Sequence, residues 1–353
     1  MIRVIDGHND LLSRLMAEPH RRAEIWLGGA PDEGHLDLPR MRAAGLAGGF
    51  FAIWHPSPET AETAALRAGM ADPPYALPLP DPLPMAPAQA EALQALGHLM
   101  WMERASGGGF RLCRSLADLR AAMDAGAVGG IAHLEGAEAI GPDLDALHVL
   151  HAAGLRSLGP VWSRPTVFGH GVPFRFPAGP DTGPGLTEAG RRLVAECQAL
   201  RILVDVSHLN EQGFWDVARM GGAPLVATHS NAHAVCASTR NLTDRQLDAI
   251  RDSDGMVGLN FGVAFLRPDG RKRADCGWDP VLRQLDHLIA RLGEGRVGLG
   301  SDFDGTLVPD VLGDVTGLPR LFEVLAAHGY DAALIDRLAH GNWLAALGRV
   351  WGC

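Results

Sequence analysis

Short apolar runs recur along the chain, and most of them end at a glycine or at a polar residue. Runs that are apolar at nearly every position are typical of strands buried on both faces of a parallel sheet. The pattern predicts eight strands, at Ile2–Asp6, Gly48–Trp54, Gly129–Glu135, Ser157–Trp162, Ile202–Ser207, Pro224–Thr228, Met256–Phe261 and Val297–Ser301.

Between these runs, apolar residues recur with helical spacing. Some helix starts are recognisable, such as Thr243 at the head of Thr-Asp-Arg-Gln, which reads as a capping box. The predicted helices are Ala88–Ala105, Ser115–Ala125, Leu144–Ala153, Thr187–Leu200, Glu211–Met220, Thr243–Ser253, Pro280–Leu292, Leu318–His328, Ala332–Ala339 and Asn342–Val350. Alternation of strand and helix over this length predicts a (β/α)₈ (TIM) barrel with extra C-terminal helices, forming one domain over residues 1–353.

One segment, His55–Pro87, interrupts the alternation because it carries nine prolines. We interpret it as a loop insertion with polyproline character, too short to form a domain. It follows the second strand, so it either overhangs the catalytic end of the barrel or is a passive surface loop. No GxGxxG fingerprint follows the first strand, which argues against a dinucleotide-binding fold.

Composition excludes several classes of function. The chain is 47% hydrophobic and 20% charged, which supports a sizeable core, and its formal net charge of -10 argues against nucleic acid or an anionic membrane as partner. The five cysteines are scattered without a CxxC pair, so neither a disulfide framework nor a thiolate zinc site is indicated. We recognise no signal peptide, membrane span or anchor signal, and we therefore expect a cytoplasmic protein. A homodimer is the expected assembly, as for many soluble enzymes.

Residue types that bind metals stand at the ends of several predicted strands. Catalytic groups of barrel enzymes lie at the carboxyl ends of strands, where these residues would meet. The candidates are His8 and Asp10 after the first strand, Glu135 on the third, His208 after the fifth, His229 after the sixth and Asp302 after the eighth. The His8-x-Asp10 spacing puts both side chains on one face of a strand. We expect Glu138 to cap or to form a salt bridge.

Five of these residues are the candidate metal ligands, namely His8, Asp10, Glu135, His208 and His229. Five ligands are too many for one open zinc site and suit two ions that share a carboxylate. The only lysine, Lys272, lies in a charged loop that we expect far from any strand end, so a bridging lysine carbamate is excluded and Glu135 is the expected bridge. Two ions about 3.5–4 Å apart would hold one hydroxide near neutral pH. Asp302 is the candidate that shuttles its proton to the leaving amine.

The chain also resembles the membrane (renal) dipeptidase family of zinc peptidases. The matching motifs span nearly its whole length and occur in the same order. The matching pieces are Asp-Gly-His-Asn-Asp at 6–10, Glu-Gly at 135–136, Val-Asp-Val-Ser-His at 204–208, Thr-His-Ser-Asn-Ala at 228–232, Val-Cys-Ala-Ser-Thr-Arg-Asn-Leu at 235–242, Gly-Ser-Asp-Phe-Asp-Gly at 300–305 and Gly-Asn-Trp-Leu at 341–344.

The resemblance implies a dipeptidase with two Zn²⁺ per chain. It puts His8 and Asp10 on one zinc, His208 and His229 on the other, and Glu135 across both. It also implies that Asp302 is the general acid/base and that Arg240 binds the α-carboxylate of the dipeptide. An arginine fork is well suited to such bidentate recognition.

The chain departs from the family just after the fourth strand. Better-known mammalian members carry a histidine there, thought to polarise the scissile carbonyl, whereas this sequence has Trp162. Trp donates one hydrogen bond and does not titrate. His170, just downstream, is a candidate for the missing donor, and an exposed loop histidine is an equal alternative.

The sequence thus leads to a binuclear zinc dipeptidase that cleaves small dipeptides, L-Xaa-L-Xaa, L-Xaa-D-Xaa or both, by a metal-bridged hydroxide. Two alternatives stay open. One is a related amidohydrolase that acts on N-acyl amino acids or lactams. The other is a metal-binding protein without turnover.

Overall fold

Parallel strands form a barrel in the computed structural model, which describes residues 2–352. The strands are β1 (Val4–Asn9), β2 (Leu46–Trp54), β3 (Tyr75–Ala76), β4 (Phe110–Leu112), β5 (Val128–Glu135), β6 (Leu155–Gly159), β7 (Arg175–Phe176), β8 (Leu203–Val204), β9 (Val226–Ala227), β10 (Met256–Leu259) and β11 (Val297–Leu299).

Helices separate most of the strands. They are α1 (Leu11–Ala17), α2 (Arg22–Leu27), α3 (Leu38–Ala43), α4 (Ala61–Gly69), α5 (Met85–Ala105), α6 (Leu116–Asp124), α7 (Asp145–Ala153), α8 (Glu188–Ala199), α9 (Glu211–Met220), α10 (Asp244–Asp252), α11 (Val263–Leu266), α12 (Asp279–Leu292), α13 (Leu318–His328), α14 (Ala332–Asp336) and α15 (Asn342–Trp351). A 3₁₀ turn, Val315–Gly317, precedes α13, and a π-helical segment, Arg337–Gly341, joins α14 to α15.

Within residues 2–352, eight strands lie side by side in the order β8-β6-β5-β2-β1-β11-β10-β9, and β4 pairs with β5 outside this order. The two ends of the sheet meet, because the Val206 N–H donates to the Val226 carbonyl at 2.8 Å and Asp205 forms a parallel bridge with Val226. The predicted (β/α)₈ barrel is therefore confirmed, and all eight predicted strands contribute to it.

Trp343, from the last helix, fills the interior of the barrel. It packs with buried side chains from six barrel strands, namely Ile5, Phe50, Ile131, Leu203, Val226 and Met256. Its indole N–H donates to the Leu299 carbonyl at 2.8 Å. The ring requires glycine on a facing strand, since a Cβ at Gly7 would lie 2.4 Å from it. This layer forms the floor beneath the polar carboxyl ends of the strands.

Two expectations about chain segments need correction. The insertion His55–Pro87 is more than a loop, because it contains α4, capped by Thr60, and β3, which pairs with β7. Between β1 and β2 the pattern predicted no helix, yet α1, α2 and α3 lie there. Each has only six or seven residues, too few for a helical period to stand out in the sequence.

The structure also bears on membrane insertion. Among the helices of residues 2–352, none has both the length and the hydropathy needed to cross a bilayer.

Candidate metal centre

Six polar side chains that the sequence singled out converge at the carboxyl end of the barrel. They are His8 and Asp10 at the end of β1, Glu135 at the end of β5, His208 after β8, His229 after β9 and Asp302 after β11. All are buried except Asp302, which is partly exposed to the cavity above. Parallel strands bring them together because their carboxyl ends open on the same side of the barrel.

Glu135 lies between two groups of these side chains. Its Oε1 is 3.0 Å from Nε2 of His208 and 3.4 Å from Nε2 of His229. Its Oε2 is 3.6 Å from Nε2 of His8, which in turn lies 3.3 Å from Oδ2 of Asp10. One carboxylate therefore presents an oxygen to each group, which is the arrangement that a bridging ligand requires.

Hydroxyl groups behind the histidines fix the rings. Ser163 Oγ lies 2.8 Å from Nδ1 of His208, and Thr228 Oγ1 lies 2.7 Å from Nδ1 of His229. Thr228 donates its own proton to Asp205 Oδ2 at 2.6 Å, so it accepts from Nδ1–H of His229. The lone pair of His229 Nε2 is thereby directed at the centre, as in histidines that bind metals.

The electrostatics of the centre favour bound cations. Burial raises the pKa of Asp10 to about 7 and raises that of Glu135 well above its usual range. Burial also lowers the pKa of His208 and His229 well below the usual range, so both imidazoles are neutral ligands. Both ring nitrogens of His8 are buried without a hydrogen-bond partner in residues 2–352. Neutral imidazoles beside crowded carboxylates are a donor set that fits divalent zinc.

The backbone conformation of Asp302 and a hydrogen bond from the Asn260 side chain fix the position of its carboxylate. Its φ of 60° lies in the left-handed region, which a residue with a side chain adopts at a cost, and its N–H donates to the His8 carbonyl at 3.0 Å. Asn260 Nδ2 donates to Asp302 Oδ2 at 2.8 Å. Burial raises the pKa of Asp302 to about 6, and the Asn260 hydrogen bond opposes that rise.

Arg240 lies buried behind His229. Its two terminal nitrogens donate to Ser230 Oγ and to the His229 carbonyl, both at 2.9 Å. Its Nε–H has no acceptor in residues 2–352, although burial makes an unmatched donor costly. This guanidinium lies next to a candidate ligand and has one donor free for an anionic group, but Arg240 is not among the residues that line the cavity above the centre.

A cavity of about 200 Å³ opens above the centre. Trp162 lines it and packs at a ring distance of 5.8 Å from His208. His170 does not line this cavity, and its Nδ1 lies 3.4 Å from the Gly185 carbonyl. Of the two residues proposed near the scissile carbonyl, the structure brings only Trp162 to the cavity.

Lys272 lies elsewhere than expected. The sequence placed it in a loop far from any strand end, whereas it lines the same cavity as Glu135 and Asp302. The reason is a long-range hydrogen bond, since the Lys272 N–H donates to the Met70 carbonyl at 2.9 Å and so holds the loop over the barrel. Glu135, and not Lys272, nevertheless lies between the two groups of candidate ligands.

Glu138 forms the salt bridge that was one of its two expected roles. The Nε of Arg164 donates to its Oε1 at 2.9 Å, and the Nη1 of Arg164 donates to Ser57 Oγ at 2.7 Å. This buried pair joins the loop after β6, which carries Trp162, to the start of the insertion.

Sequence reasoning missed the residues that support the centre from behind: Ser163, Asp205, Thr228 and Asn260. Two of them had a signal. Asp205 and Thr228 stand in the same strand-end motifs as His208 and His229. Ser163 and Asn260 had none, because their partners lie 45 and 42 positions away in the chain.

The barrel and this cluster define the protein as a metal-dependent hydrolase with its centre at the carboxyl ends of the strands. A family model described as membrane dipeptidase (peptidase family M19) matches residues 1–352. The chain belongs to this family and is a metallopeptidase of the dipeptidase class, as the sequence predicted.

Two solved structures agree with this assignment, and one further protein is similar in sequence. A crystal structure of a metallo peptidase from Rhodobacter sphaeroides, liganded with a phosphinate mimic of the dipeptide L-Ala-D-Ala, is 63% identical with a TM-score of 0.97, covering 99% of both chains. A structure described as dipeptidase AC, a metallo peptidase, is also 63% identical with a TM-score of 0.97, covering 100% of this chain and 99% of the other. An uncharacterised Klebsiella pneumoniae protein from the pqqA 5′ region is 50% identical over 258 residues, 73% of this chain and 95% of that protein.

Proposed function

We propose that the protein hydrolyses the peptide bond of small dipeptides, of the L-Xaa-L-Xaa or L-Xaa-D-Xaa type, with two zinc ions. The observation that carries this proposal is Glu135, whose two oxygens face different sets of ligands. His8 and Asp10 would hold one ion, His208 and His229 the other, and Glu135 would touch both. Bound zinc would supply a Lewis acid and a water of lowered pKa.

Asp302 is the group proposed to move the proton. It borders the cavity and lies within the same cluster as His8 and Asp10. With a pKa raised to about 6, its carboxylate can take up a proton and release it again near neutral pH. The proton would pass to the leaving amino group, which must be protonated before it departs. Asn260 keeps the carboxylate oriented toward the cavity.

Arg240 is proposed to bind the α-carboxylate of the dipeptide. Its burial, its position against His229 and its free Nε–H support this role. Such a contact would restrict the enzyme to substrates with a free C-terminus, since an amide or ester there would leave the buried guanidinium without a counter-ion. The phosphinate dipeptide mimic bound by the Rhodobacter sphaeroides protein supports substrates of this size.

Trp162 is proposed to form the wall against which the scissile bond lies. Its ring packs edge to face with Trp54, at 5.3 Å, and with Phe174, at 5.8 Å. These contacts fix the indole beside His208, where its N–H is a candidate hydrogen-bond donor to the substrate carbonyl. His170 remains a candidate from the sequence, but its position supports this role less well than that of Trp162.

The test uses zinc-loaded protein and three groups of substrates. L-Ala-L-Ala and L-Ala-D-Ala represent dipeptides, N-acetyl-alanine represents N-acyl amino acids, and a simple lactam represents cyclic amides. We expect hydrolysis of at least one dipeptide and a large rise in KM on Arg240→Ala, with Arg245→Ala, on the outer helix α10, as a control. Turnover of the acyl amino acid or lactam without any dipeptide hydrolysis would replace the proposed reaction by the amidohydrolase alternative.

A further inference from the structure

Two segments that are distant in sequence form one wall of the cavity. One is α4 with the residues that follow it, and the other is the loop between α11 and α12. They are joined by the Lys272–Met70 backbone hydrogen bond of 2.9 Å and by the ion pair between Arg273 and Asp72 at 2.8 Å. These contacts hold the Lys272 side chain at the cavity.

Arg67 and Lys272 are the arginine and lysine side chains among the residues that line the cavity. The Lys272 ammonium has no carboxylate within ion-pair distance in residues 2–352, whereas Arg271 and Arg273 beside it both pair with Asp72. Partial burial and the nearby Arg67 both lower the pKa of Lys272. The lysine is thus a half-buried cation that lacks a close counter-ion.

Several large apolar side chains line the cavity together with Lys272. They are Met70, Phe174, Phe265, Trp54 and Trp162. A cation in such surroundings has already lost part of its hydration in the free protein, so an anion that enters gains a charge-assisted hydrogen bond at a lower cost than on an open surface. A neutral polar group would gain much less.

Four carboxylates line the same cavity, those of Asp10, Glu135, Asp302 and Asp304, and none lies within ion-pair distance of Lys272. Asp302 attracts Lys272 through space, but its Oδ2 accepts from Asn260. Arg67 contacts Glu59 at 3.4 Å, a pair whose side chains are 38% and 59% exposed and which is therefore weak. Both cations remain available to a ligand that fills the cavity.

We propose that Lys272, assisted by Arg67, binds an acidic side chain of the substrate, so that the enzyme favours dipeptides that contain Asp or Glu. This inference rests on the proposed dipeptidase function and deepens it, because it names a substrate class. It also assigns a role to the only lysine in the chain.

The test compares kcat/KM for matched dipeptides that differ by one charge. L-Ala-L-Glu is measured against L-Ala-L-Gln, and L-Glu-L-Ala against L-Gln-L-Ala, each also with a D-residue at the C-terminal position. We expect an acidic preference of about tenfold at one of the two positions, in line with a charge-assisted hydrogen bond. Raising the salt concentration is expected to reduce the preference.

Variants then assign the preference to residues. Lys272→Met should abolish the difference between Glu and Gln while L-Ala-L-Ala is still hydrolysed, and Lys272→Arg should restore most of it. Arg67→Gln should weaken the preference. Arg271→Gln, the exposed neighbour on the same loop, is the matched control and should keep it. The unfolding temperature of each variant separates loss of binding from loss of folding.

Three results would overturn the inference. The first is equal kcat/KM for Glu and Gln at both positions in the unmodified protein. The second is an acidic preference that Lys272→Met leaves intact. The third is an equal loss for every dipeptide in Lys272→Met, which would mean that Lys272 holds a group common to all of them. Hydrolysis of L-Ala-L-Ala or of L-Ala-D-Ala separates these results from failure of the proposed function, in which no dipeptide is cleaved.

Discussion

The Oε1 atom of Glu135 lies 3.0 Å from Nε2 of His208, in the floor of a cavity at the carboxyl end of the barrel. Because the other carboxylate oxygen faces His8, the side chain can serve two ions at once. This relationship underlies both the proposed reaction and the predictions that follow.

Replacement of Glu135, the proposed bridging carboxylate, should remove one of the two proposed ions. We expect Glu135→Gln to bind about one zinc per chain fewer and to lose at least about 100-fold in kcat, since an amide is neutral and a poor bridging ligand. Zinc content measured by elemental analysis, together with dipeptide hydrolysis, checks this. Glu138→Gln is the matched control, because it weakens the buried Arg164 pair and hence stability, but should retain the zinc content. Full zinc content in Glu135→Gln would argue against bridging.

The hydroxyl behind His208 should affect metal affinity without touching the metal. Ser163→Ala removes the partner of Nδ1, and loss of such a supporting contact typically costs about 10–100-fold in metal affinity. Zinc affinity measured by competition with a chelator checks this. Ser157→Ala is the control, because Ser157 Oγ forms the equivalent hydrogen bond with Nδ1 of His133, which is not a proposed ligand. Equal effects of the two substitutions would mean that the change reflects packing alone.

Removal of the Asn260 amide should change the pH dependence of the reaction. Its hydrogen bond stabilises the ionised form of Asp302, so Asn260→Ala should raise the Asp302 pKa further above its usual value. If Asp302 must be ionised to accept the proton, activity is lost as pH falls through this pKa. The acidic limb of kcat/KM should therefore move to higher pH, with zinc content unchanged. A limb that stays in place would assign the ionisation to another group.

The two candidates near the scissile carbonyl can be ranked by kinetics. Trp162→Phe retains most of the wall but removes the indole N–H, and we expect kcat to fall by about tenfold with a smaller change in KM. His170→Ala should lower kcat less, because its ring lies near the Gly185 carbonyl and not at the cavity. The opposite order would restore His170 as the carbonyl-polarising residue.

Most of the barrel was predictable because its strands are apolar at successive positions. In β2, the run from Phe50 to Ile53 is buried throughout, which is the signature of a strand covered on both faces. Strand ends were less predictable. β8 covers only Leu203–Val204 of the predicted Ile202–Ser207. Beyond it, pairing with the neighbouring strand is reduced to a single bridge between Asp205 and Val226, and the Asp205 carboxylate accepts from the N–H groups of Ser207 and Thr228.

Strand-end residues were also readable from the sequence, since each predicted ligand stands directly after or on a strand. The positions of the loops could not be predicted from the sequence. Lys272 reaches the cavity through a hydrogen bond to Met70, some 200 residues earlier, and no local pattern encodes that contact. Ser163 and Asn260 likewise act on residues far away in the chain. Tertiary contacts of this kind shape the cavity and support the candidate ligands from behind, whereas the candidate ligands themselves could be predicted from local sequence.

A zinc titration of metal-free protein shows how many ions the centre binds and how many the reaction needs. Bound zinc per chain and hydrolysis of L-Ala-D-Ala are followed in the same samples. The two-ion centre bridged by Glu135 predicts saturation at about two zinc ions per chain, with full hydrolysis reached only as the second ion binds. Saturation at one ion with full hydrolysis, or two bound ions without cleavage of any dipeptide, would contradict it.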